Sequence, residues 1–182
     1  SFFNFEFPKN HFQLRSRLFA PPPGVLPEAE IHARLAEALG AIGPADIEPL
    51  RAAARRGRLA LGEALLESVL PDPRLSSQIA VLLYRALALP PEKQEGAVLF
   101  GLALRAVMER GASLARAGFE GSPLEVADRL FQAMLDGARG MTFSVDSWDD
   151  VLGRVGTDDG KIALELPDLL TELESALRSP PE

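Results

Sequence analysis

The sequence EKQEGAVLFGLALRAVMER, residues 92–110, carries the strongest structural signal in the chain. Its middle, Gly96–Leu104, is apolar nearly all the way round a helical axis, which is typical of a helix buried at the centre of a fold. This run is far shorter than the roughly 20 apolar residues that a helix needs to cross a bilayer. We therefore expect Glu92–Arg110 to be the central helix of a globular protein.

Apolar residues recur at helical spacing on both sides of this segment, and prolines or glycines mark where each helix ends. Ser122-Pro123-Leu124-Glu125 has the form of a capping box, with a proline in the first turn. Aromatic residues are only 7% of the chain, so alanine and leucine, the best helix formers, must fill the core. We expect a bundle of about six or seven helices, formed by residues 27–39, 44–56, 59–70, 75–89, 92–110 and 122–138, with 112–117 either extending or following the fifth. A short helix at 147–154 and a last helix that begins at Pro167 come after the bundle.

The first 25 residues differ from the rest. They hold most of the phenylalanine, and Phe3, Phe5 and Phe7 alternate as they would in a strand. Pro21-Pro22-Pro23-Gly24 predicts a stiff spacer after them. We expect an extended arm that docks on neighbouring structure or mediates self-association. Because the chain begins at Ser1, inside this alternating pattern, we also expect it to be a piece of a longer protein.

The residues after 140 change character again. Met141–Val145 and Lys161–Leu166 both alternate, and each predicts a short strand. The expected fold class is therefore mainly α: a multi-helix bundle with an extended N-terminal arm and a small two-stranded β element near the C-terminus. The predicted organisation is an arm and proline spacer at 1–25, a helical bundle at 26–140 and a strand-helix-strand-helix segment at 141–182. The last segment packs on the bundle, so that the whole is one compact domain.

Charge and cysteine content exclude several functions. The net charge of −7 repels phosphate groups, so nucleic acid is not an expected partner, and no apolar run is long enough to anchor the chain in a membrane. The chain contains no cysteine, which rules out disulfides, thiolate nucleophiles and cysteine ligation of an iron–sulfur cluster. Freedom from cysteine suits a cytoplasmic protein.

The two histidines are weak candidates for a metal site. No His-x-x-x-His or Glu-x-x-His grouping surrounds His11 or His32, which lie in the arm and on a helix. We interpret His32 as a polar residue one turn after Glu28, and His11 as part of a polar cluster in the arm.

Two charged motifs also have simple structural explanations. Asp158-Asp159-Gly160 lacks the further oxygen ligands of a calcium loop and predicts a turn. A basic cluster is formed by Arg51, Arg55, Arg56 and Arg58, and the negative end of a helix dipole accounts for it, with a phosphate or acidic-partner patch as the alternative. No glycine pattern matches a phosphate loop or a dinucleotide fingerprint. We therefore assign no catalytic, cofactor-binding or metal-binding residue.

Two parts of the chain resemble an internal region of molybdopterin-dependent oxidoreductases of the formate dehydrogenase and nitrate reductase type. The resemblance frames nearly the whole chain, although the middle, Gly43–Gly140, is less distinctive. The residues that carry it are NHFQLR at 10–15, PPPGVLPEAEIHARLAEALG at 21–40, MTFSV at 141–145, WDDV at 148–151, DGKIAL at 159–164 and LPDLL at 166–170.

This resemblance implies a parent enzyme that binds a molybdopterin guanine dinucleotide and usually an iron–sulfur cluster. In such enzymes the cluster cysteines and any protein ligand to molybdenum lie upstream, and a dinucleotide-binding barrel domain lies downstream. No cofactor motif of the family maps onto this chain. The resemblance therefore implies a non-catalytic accessory domain whose partners are the remaining domains of the parent.

Two other interpretations remain open at this stage. The chain could be a free-standing helical interaction domain that binds a partner in a groove between helices. A complete enzyme is disfavoured, because the sequence offers no recognisable catalytic group.

Overall fold

The computed structural model describes residues 2–15, 18, 19, 21–162 and 166–178, with Phe2 described by its backbone only. The chain divides between Asp146 and Ser147 into two compact units. We call residues 1–146 unit 1 and residues 147–182 unit 2, and each is described by itself. The domain boundaries expected after residues 25 and 140 stay a prediction.

Unit 1 is built mainly from helices. A π-helical turn at Leu65–Val69 continues the third of them, and 3₁₀ turns occupy Gln94–Val98 and Gly137–Arg139. The helices are α1 (Glu28–Ala38), α2 (Pro44–Arg56), α3 (Arg58–Ala64), α4 (Pro73–Ser76), α5 (Ile79–Ala86), α6 (Leu99–Arg116) and α7 (Pro123–Leu135).

Local signals explain where several helices begin and end. Pro44 opens α2, and Gly57 closes it with a φ of 129°, a conformation that side-chain-bearing residues rarely adopt. At the start of α7 the Ser122 amide donates to the Glu125 carboxylate at 3.0 Å, as the capping-box motif predicts. Asp72 accepts from the Arg74 amide at 2.8 Å and caps α4. That cap begins a separate short helix, so the helix expected at 75–89 is divided between α4 and α5.

The helical core of unit 1 lies between α5, α6 and α7. Phe100 of α6 and Phe131 of α7 are fully buried and meet edge to face, with ring centroids 5.3 Å apart. Leu82, Leu83 and Leu130 complete this contact region. Aromatic pairs of this geometry add to the stabilisation that burial alone provides.

Helix α6 contributes to the core, as expected, but its apolar middle is not buried all the way round. Leu99, Phe100 and Leu104 are buried, whereas Leu102 is 42% exposed. The helix therefore has one solvent-facing side in its apolar middle. Its expected start at Glu92 is also wrong, because a 3₁₀ turn precedes Leu99.

The predicted fold class is wrong in its β structure, although helices account for 61% of the residues that the structure describes. The N-terminal segment is not an extended arm. It forms strands β1 (Phe2–Phe5) and β2 (Lys9–Gln13), which join β3 (Met141–Val145) in an antiparallel sheet of order β1-β2-β3. Phe12 on β2 is fully buried in the core. Long-range pairing of Asn10 with Ser144, which local patterns do not reveal, explains the error.

The β element near the C-terminus is a second correction. Met141–Val145 is a strand as predicted, but it pairs with β2 instead of with the strand expected at 161–166. Residues 163–165 of that expected strand lie outside the described part of the chain, and its described residues Lys161, Ile162 and Leu166 are not in a strand. The observed sheet has three strands, and two of them come from the beginning of the sequence.

A buried polar network fastens this sheet to α6. The Asn10 side-chain amide donates to Ser144 Oγ at 3.0 Å and to Asp146 Oδ2 at 2.7 Å. Arg110 of α6 lies 3.6 Å from the same Asp146 oxygen, and its guanidinium lies over the Phe5 ring, 5.0 Å from the centroid. Hydrogen bonding offsets the cost of burying Asn10, which is only 2% exposed.

Unit 2 contains α8 (Trp148–Leu152) and α9 (Pro167–Arg178). Ser147 caps α8, because its hydroxyl accepts from the Asp150 amide while its own amide donates to the Asp150 carboxylate. None of the described residues from 147 to 178 is buried. Unit 2 therefore has a capped helix in α8 but no core among its described residues.

Candidate interaction groove

A groove of about 490 Å³ lies between α1 and α5 in unit 1. Its walls are mainly apolar and include Leu35 of α1, Leu39 at the C-terminal end of that helix, Val81 and Tyr84 of α5, and Val98 of the adjoining 3₁₀ turn. We call this depression the α1 groove. Mainly apolar concave surfaces with a few polar groups are the usual form of binding sites in proteins.

Helix α1 places its small side chains inward and its large ones outward. Ala33 and Ala36 are its buried residues, whereas Ile31, Leu35 and Leu39 are 52–74% exposed. An amphipathic helix normally directs its large apolar residues towards the core. This reversal leaves an apolar surface in water, which commonly marks an interaction site.

A second hollow, of about 940 Å³, adjoins the α1 groove and shares Glu95 and Val98 with it. The exposed side chains of Leu18 and Phe19, in the connection between β2 and α1, line this hollow. The apolar surface of unit 1 therefore continues from α1 towards the N-terminal connection. Self-association through this N-terminal region stays a prediction.

An ion-pair cluster holds α1 against α5. Arg85 of α5 contacts Glu30 at 2.6 Å and Glu37 at 2.7 Å, and Arg34 donates to Glu30 at 2.7 Å. Hydrogen bonds from Arg34 and then from Arg85 hold the pKa of Glu30 below its ordinary value. Hydrogen bonding to Glu37, followed by that to Glu30, raises the pKa of Arg85. The cluster orients α1 so that its apolar side faces outward along the groove.

Gln94 fixes the far side of the α1 groove. Its amide nitrogen donates to the carbonyls of Tyr84 and Leu87, both at 2.9 Å, and its oxygen accepts from the Leu89 amide at 2.9 Å. Gln94 thereby satisfies backbone groups that the end of α5 leaves unpaired. The sequence does not single out Gln94 or Arg85, because neither belongs to a local motif that predicts a partner.

The structure separates the two histidines that the sequence singles out. His11 lies on the exposed side of β2, and its Nδ1 is 3.3 Å from Thr142 Oγ1. His32 lies on α1 beside the groove, with its Nε2 3.6 Å from a carboxylate oxygen of Glu28. The polar neighbour expected for His32 is therefore confirmed.

Three of the four clustered arginines have carboxylate partners within unit 1. Arg51 and Arg55 both pair with Glu48 at 2.8 Å, and Arg58 pairs with Asp128 of α7. These contacts direct the three guanidinium groups to two separate carboxylates, Glu48 and Asp128. The geometry favours the structural explanation over a single anion-binding patch.

The turn expected at 158–160 is confirmed. The Gly160 amide donates to the Thr157 carbonyl at 2.9 Å, and the Asp159 carboxylate accepts from the Lys161 amide at 3.0 Å. One Asp159 carboxylate oxygen therefore accepts a hydrogen bond from the backbone two residues later, as in an Asx-turn.

The described residues contain neither a metal-holding group nor a membrane-spanning helix. No group of three or more histidine, aspartate or glutamate residues is placed to hold a metal ion in the described part of the chain. Among the helices of residues 2–178 that the structure describes, none has the length and apolar character to cross a bilayer.

Comparison with known proteins finds no matching protein-family model, no matching curated protein and no matching solved structure.

Proposed function

We propose that this chain is a non-catalytic accessory domain of a larger molybdopterin-dependent oxidoreductase, and that unit 1 attaches to the rest of that enzyme through the α1 groove. The residues at 10–40 and 141–170 that resemble such enzymes support the identity of the parent. The outward-facing apolar side of α1 is the observation that carries the proposed role. A surface of this kind is stabilised when another protein segment removes it from water.

The parent's molybdopterin guanine dinucleotide and iron–sulfur cluster belong to other segments in this proposal. The described residues provide no metal-holding group, and the chain has no cysteine to ligate a cluster. We therefore derive no chemical step on this chain. The same proposal places the parent in the cytoplasm, where a chain free of cysteine needs no disulfide.

The α1 groove also supports a second candidate, a free-standing helical interaction domain. A groove between two helices can receive an amphipathic helix of a separate protein. The reading frame distinguishes the two candidates. Cysteine motifs encoded before Ser1 and a barrel domain encoded after Glu182 support the accessory domain, whereas start and stop codons near these positions would refute it.

Hydroxyl-radical footprinting tests the attachment directly. Leu35 and Leu39 are exposed in the groove, and Met108 on α6 is exposed outside it. We expect Leu35 and Leu39 to be oxidised in the isolated chain and protected in the whole enzyme, with Met108 oxidised in both. Equal oxidation of the two leucines in both samples would contradict attachment through this groove.

A glutamate substitution inside the groove, compared with one outside it, tests whether the apolar contact is required for attachment. In the whole enzyme, Leu35→Glu should disrupt the apolar contact and restore oxidation of Leu39. Met108→Glu introduces the same charge at a similarly exposed apolar position outside the groove. It should leave Leu39 protected.

A further inference from the structure

Helix α9 presents a continuous leucine stripe to solvent. Leu166, Leu169, Leu170, Leu173 and Leu177 follow the spacing of one helical face, and each is 51–77% exposed. The stripe extends over three turns, so these are neighbouring side chains instead of scattered surface residues. A face of this kind is the form in which amphipathic helices enter grooves on other proteins.

Acidic residues border this stripe on both sides. Glu172 lies one turn after Leu169 on one edge, and Glu174 lies one turn after Leu170 on the other. Arg178 pairs with Glu174 at 3.2 Å, but both side chains are largely exposed. Unit 2 as a whole carries nine acidic and three basic side chains, so most of the chain's net charge of −7 resides there. The surface that receives the stripe must therefore tolerate negative charge along both of its rims.

We propose that α9 is a docking helix that binds an apolar groove rimmed by lysine and arginine on a separate partner protein. The leucine stripe provides apolar contact, and Glu172 and Glu174 select the basic rims. Opposite charges at the rim speed the encounter and exclude wrong partners, while the apolar centre provides most of the affinity. This inference concerns unit 2 alone and does not depend on the α1 groove or on the identity of the parent enzyme.

The charge pattern disfavours the two other surfaces that could cover such a stripe. Helices that lie on anionic membranes carry lysine and arginine beside their apolar face, and α9 carries glutamate there. A second copy of α9 would bring the same acidic edges together, which is unfavourable for close contact. A basic protein groove satisfies both the apolar and the charged features.

Photo-crosslinking of the full chain, inside the cells that express it, identifies the protein that binds α9. Leu173→benzoylphenylalanine places a photoreactive group within the stripe, and Ser175→benzoylphenylalanine places the same group on the opposite face. We expect the first variant to crosslink to one polypeptide, at a peptide with apolar residues flanked by lysine or arginine. The second should give at least about tenfold less of the same product.

Charge exchange then tests the proposed chemistry. Glu172→Lys with Glu174→Lys should lower the yield from position 173 by about tenfold or more. Replacing the crosslinked partner's basic rim residues by glutamate should restore it. As a matched control, Asp158→Lys with Asp159→Lys changes the net charge equally but leaves the helix edges intact, and should leave the yield unchanged. All of these positions are exposed, so circular dichroism should show that the helices persist.

Several results would overturn the proposal. One is that α9 crosslinks only to a second copy of the chain, and another is that it crosslinks to lipid and binds vesicles of phosphatidylglycerol. Equal crosslinking yields from positions 173 and 175, or no crosslink at all, would overturn it as well. A partner whose capture is insensitive to the charge exchange would also overturn it. If Leu35 and Leu39 are not protected in the whole enzyme but α9 crosslinks as expected, the proposed attachment through the α1 groove is wrong and the docking role of α9 still holds.

Discussion

Helices α7 and α9 have nearly the same length and similar patterns, yet their surroundings are opposite. Each begins with proline, carries an acidic residue in its first turn and repeats apolar residues every three or four positions. In α7 these residues are buried in the core of unit 1, whereas in α9 they are exposed. The apolar pattern thus predicts a helix and its stripe, but it does not predict whether the chain itself covers that stripe.

Replacing a buried aromatic residue of α7 should have the largest effect. Phe131 is fully buried, meets Phe100 edge to face and lies beneath the Arg58 guanidinium, 5.5 Å from the ring centroid. Phe131→Ala should lower the free energy of unfolding of unit 1 by about 3–5 kcal/mol, through lost burial and the cavity left behind. Urea denaturation followed by circular dichroism measures the loss. A loss below about 1 kcal/mol would contradict the assigned core.

The polar network beneath the sheet should have the next largest effect. Asn10→Ala removes both hydrogen bonds that the amide donates to Ser144 and Asp146. Because the latter groups are buried, the expected loss of stability is about 1–3 kcal/mol. His11→Ala, on the exposed side of the same strand, is the matched control and should cost less than about 0.5 kcal/mol in the same denaturation experiment. Equal losses would mean that Asn10 does not fasten the sheet.

The ion pairs of α1 should give a smaller effect that depends on pH. Because Arg34 and Arg85 hold the pKa of Glu30 below its unfolded value of 4.5, the stabilisation is present above about pH 4.5. It is lost as the pH falls through the lower pKa of the folded state. Glu30→Gln should remove this part of the pH dependence and lower stability at pH 7 by roughly 0.5 kcal/mol. Thermal melts between pH 3 and 7 measure both changes.

A second variant checks the cause of that pH dependence. Arg85→Met removes the cation while keeping much of the apolar stem, so it should flatten the same part of the pH profile. An unchanged profile in Glu30→Gln would show that this carboxylate does not contribute to acid sensitivity.

Replacing a leucine of the exposed stripe on α9 should have the smallest effect on stability, in contrast to the replacement in α7. Leu173 is 55% exposed, and Leu173→Ala should change the free energy of unfolding by less than about 0.5 kcal/mol. Denaturation alongside Phe131→Ala gives the direct comparison. A loss of several kcal/mol would show that the chain buries the stripe of α9, and the contrast between the two helices would fail.

The sequence predicted local features well where neighbouring residues decide them. The ends of α2, the capping box at Ser122 and the turn at Asp159 all depend on contacts within a few residues. Patterns of this kind can be recognised without knowing the fold. The alternating pattern of Met141–Val145 also predicted a strand correctly, because alternation is itself a local property.

The candidate groove and the sheet could not be predicted in the same way. The contact between Asn10 and Asp146 joins residues 136 positions apart, and the contact between Glu30 and Arg85 joins residues 55 apart. The separation of these residues along the sequence does not mark either pair as partners, since many other pairs of polar residues are equally far apart. The outward orientation of Leu35 likewise depends on α5 packing against the alanines of α1.

The sequence by itself determined most of the helical segments, both ends of α2, the starts of α7 and α9, and that residues 147–182 carry most of the excess negative charge. These properties follow from backbone propensity, capping and composition, which act over short distances along the chain. Only the tertiary structure decided that the phenylalanine-rich start joins β3 in a sheet, that α1 faces its leucines outward, and that the stripe of α7 is buried within unit 1 while unit 2 does not itself bury the stripe of α9. Those outcomes depend on which surfaces from distant parts of the chain bury each other. Because the hydrophobic effect is non-directional, an apolar pattern does not specify which surface will cover it.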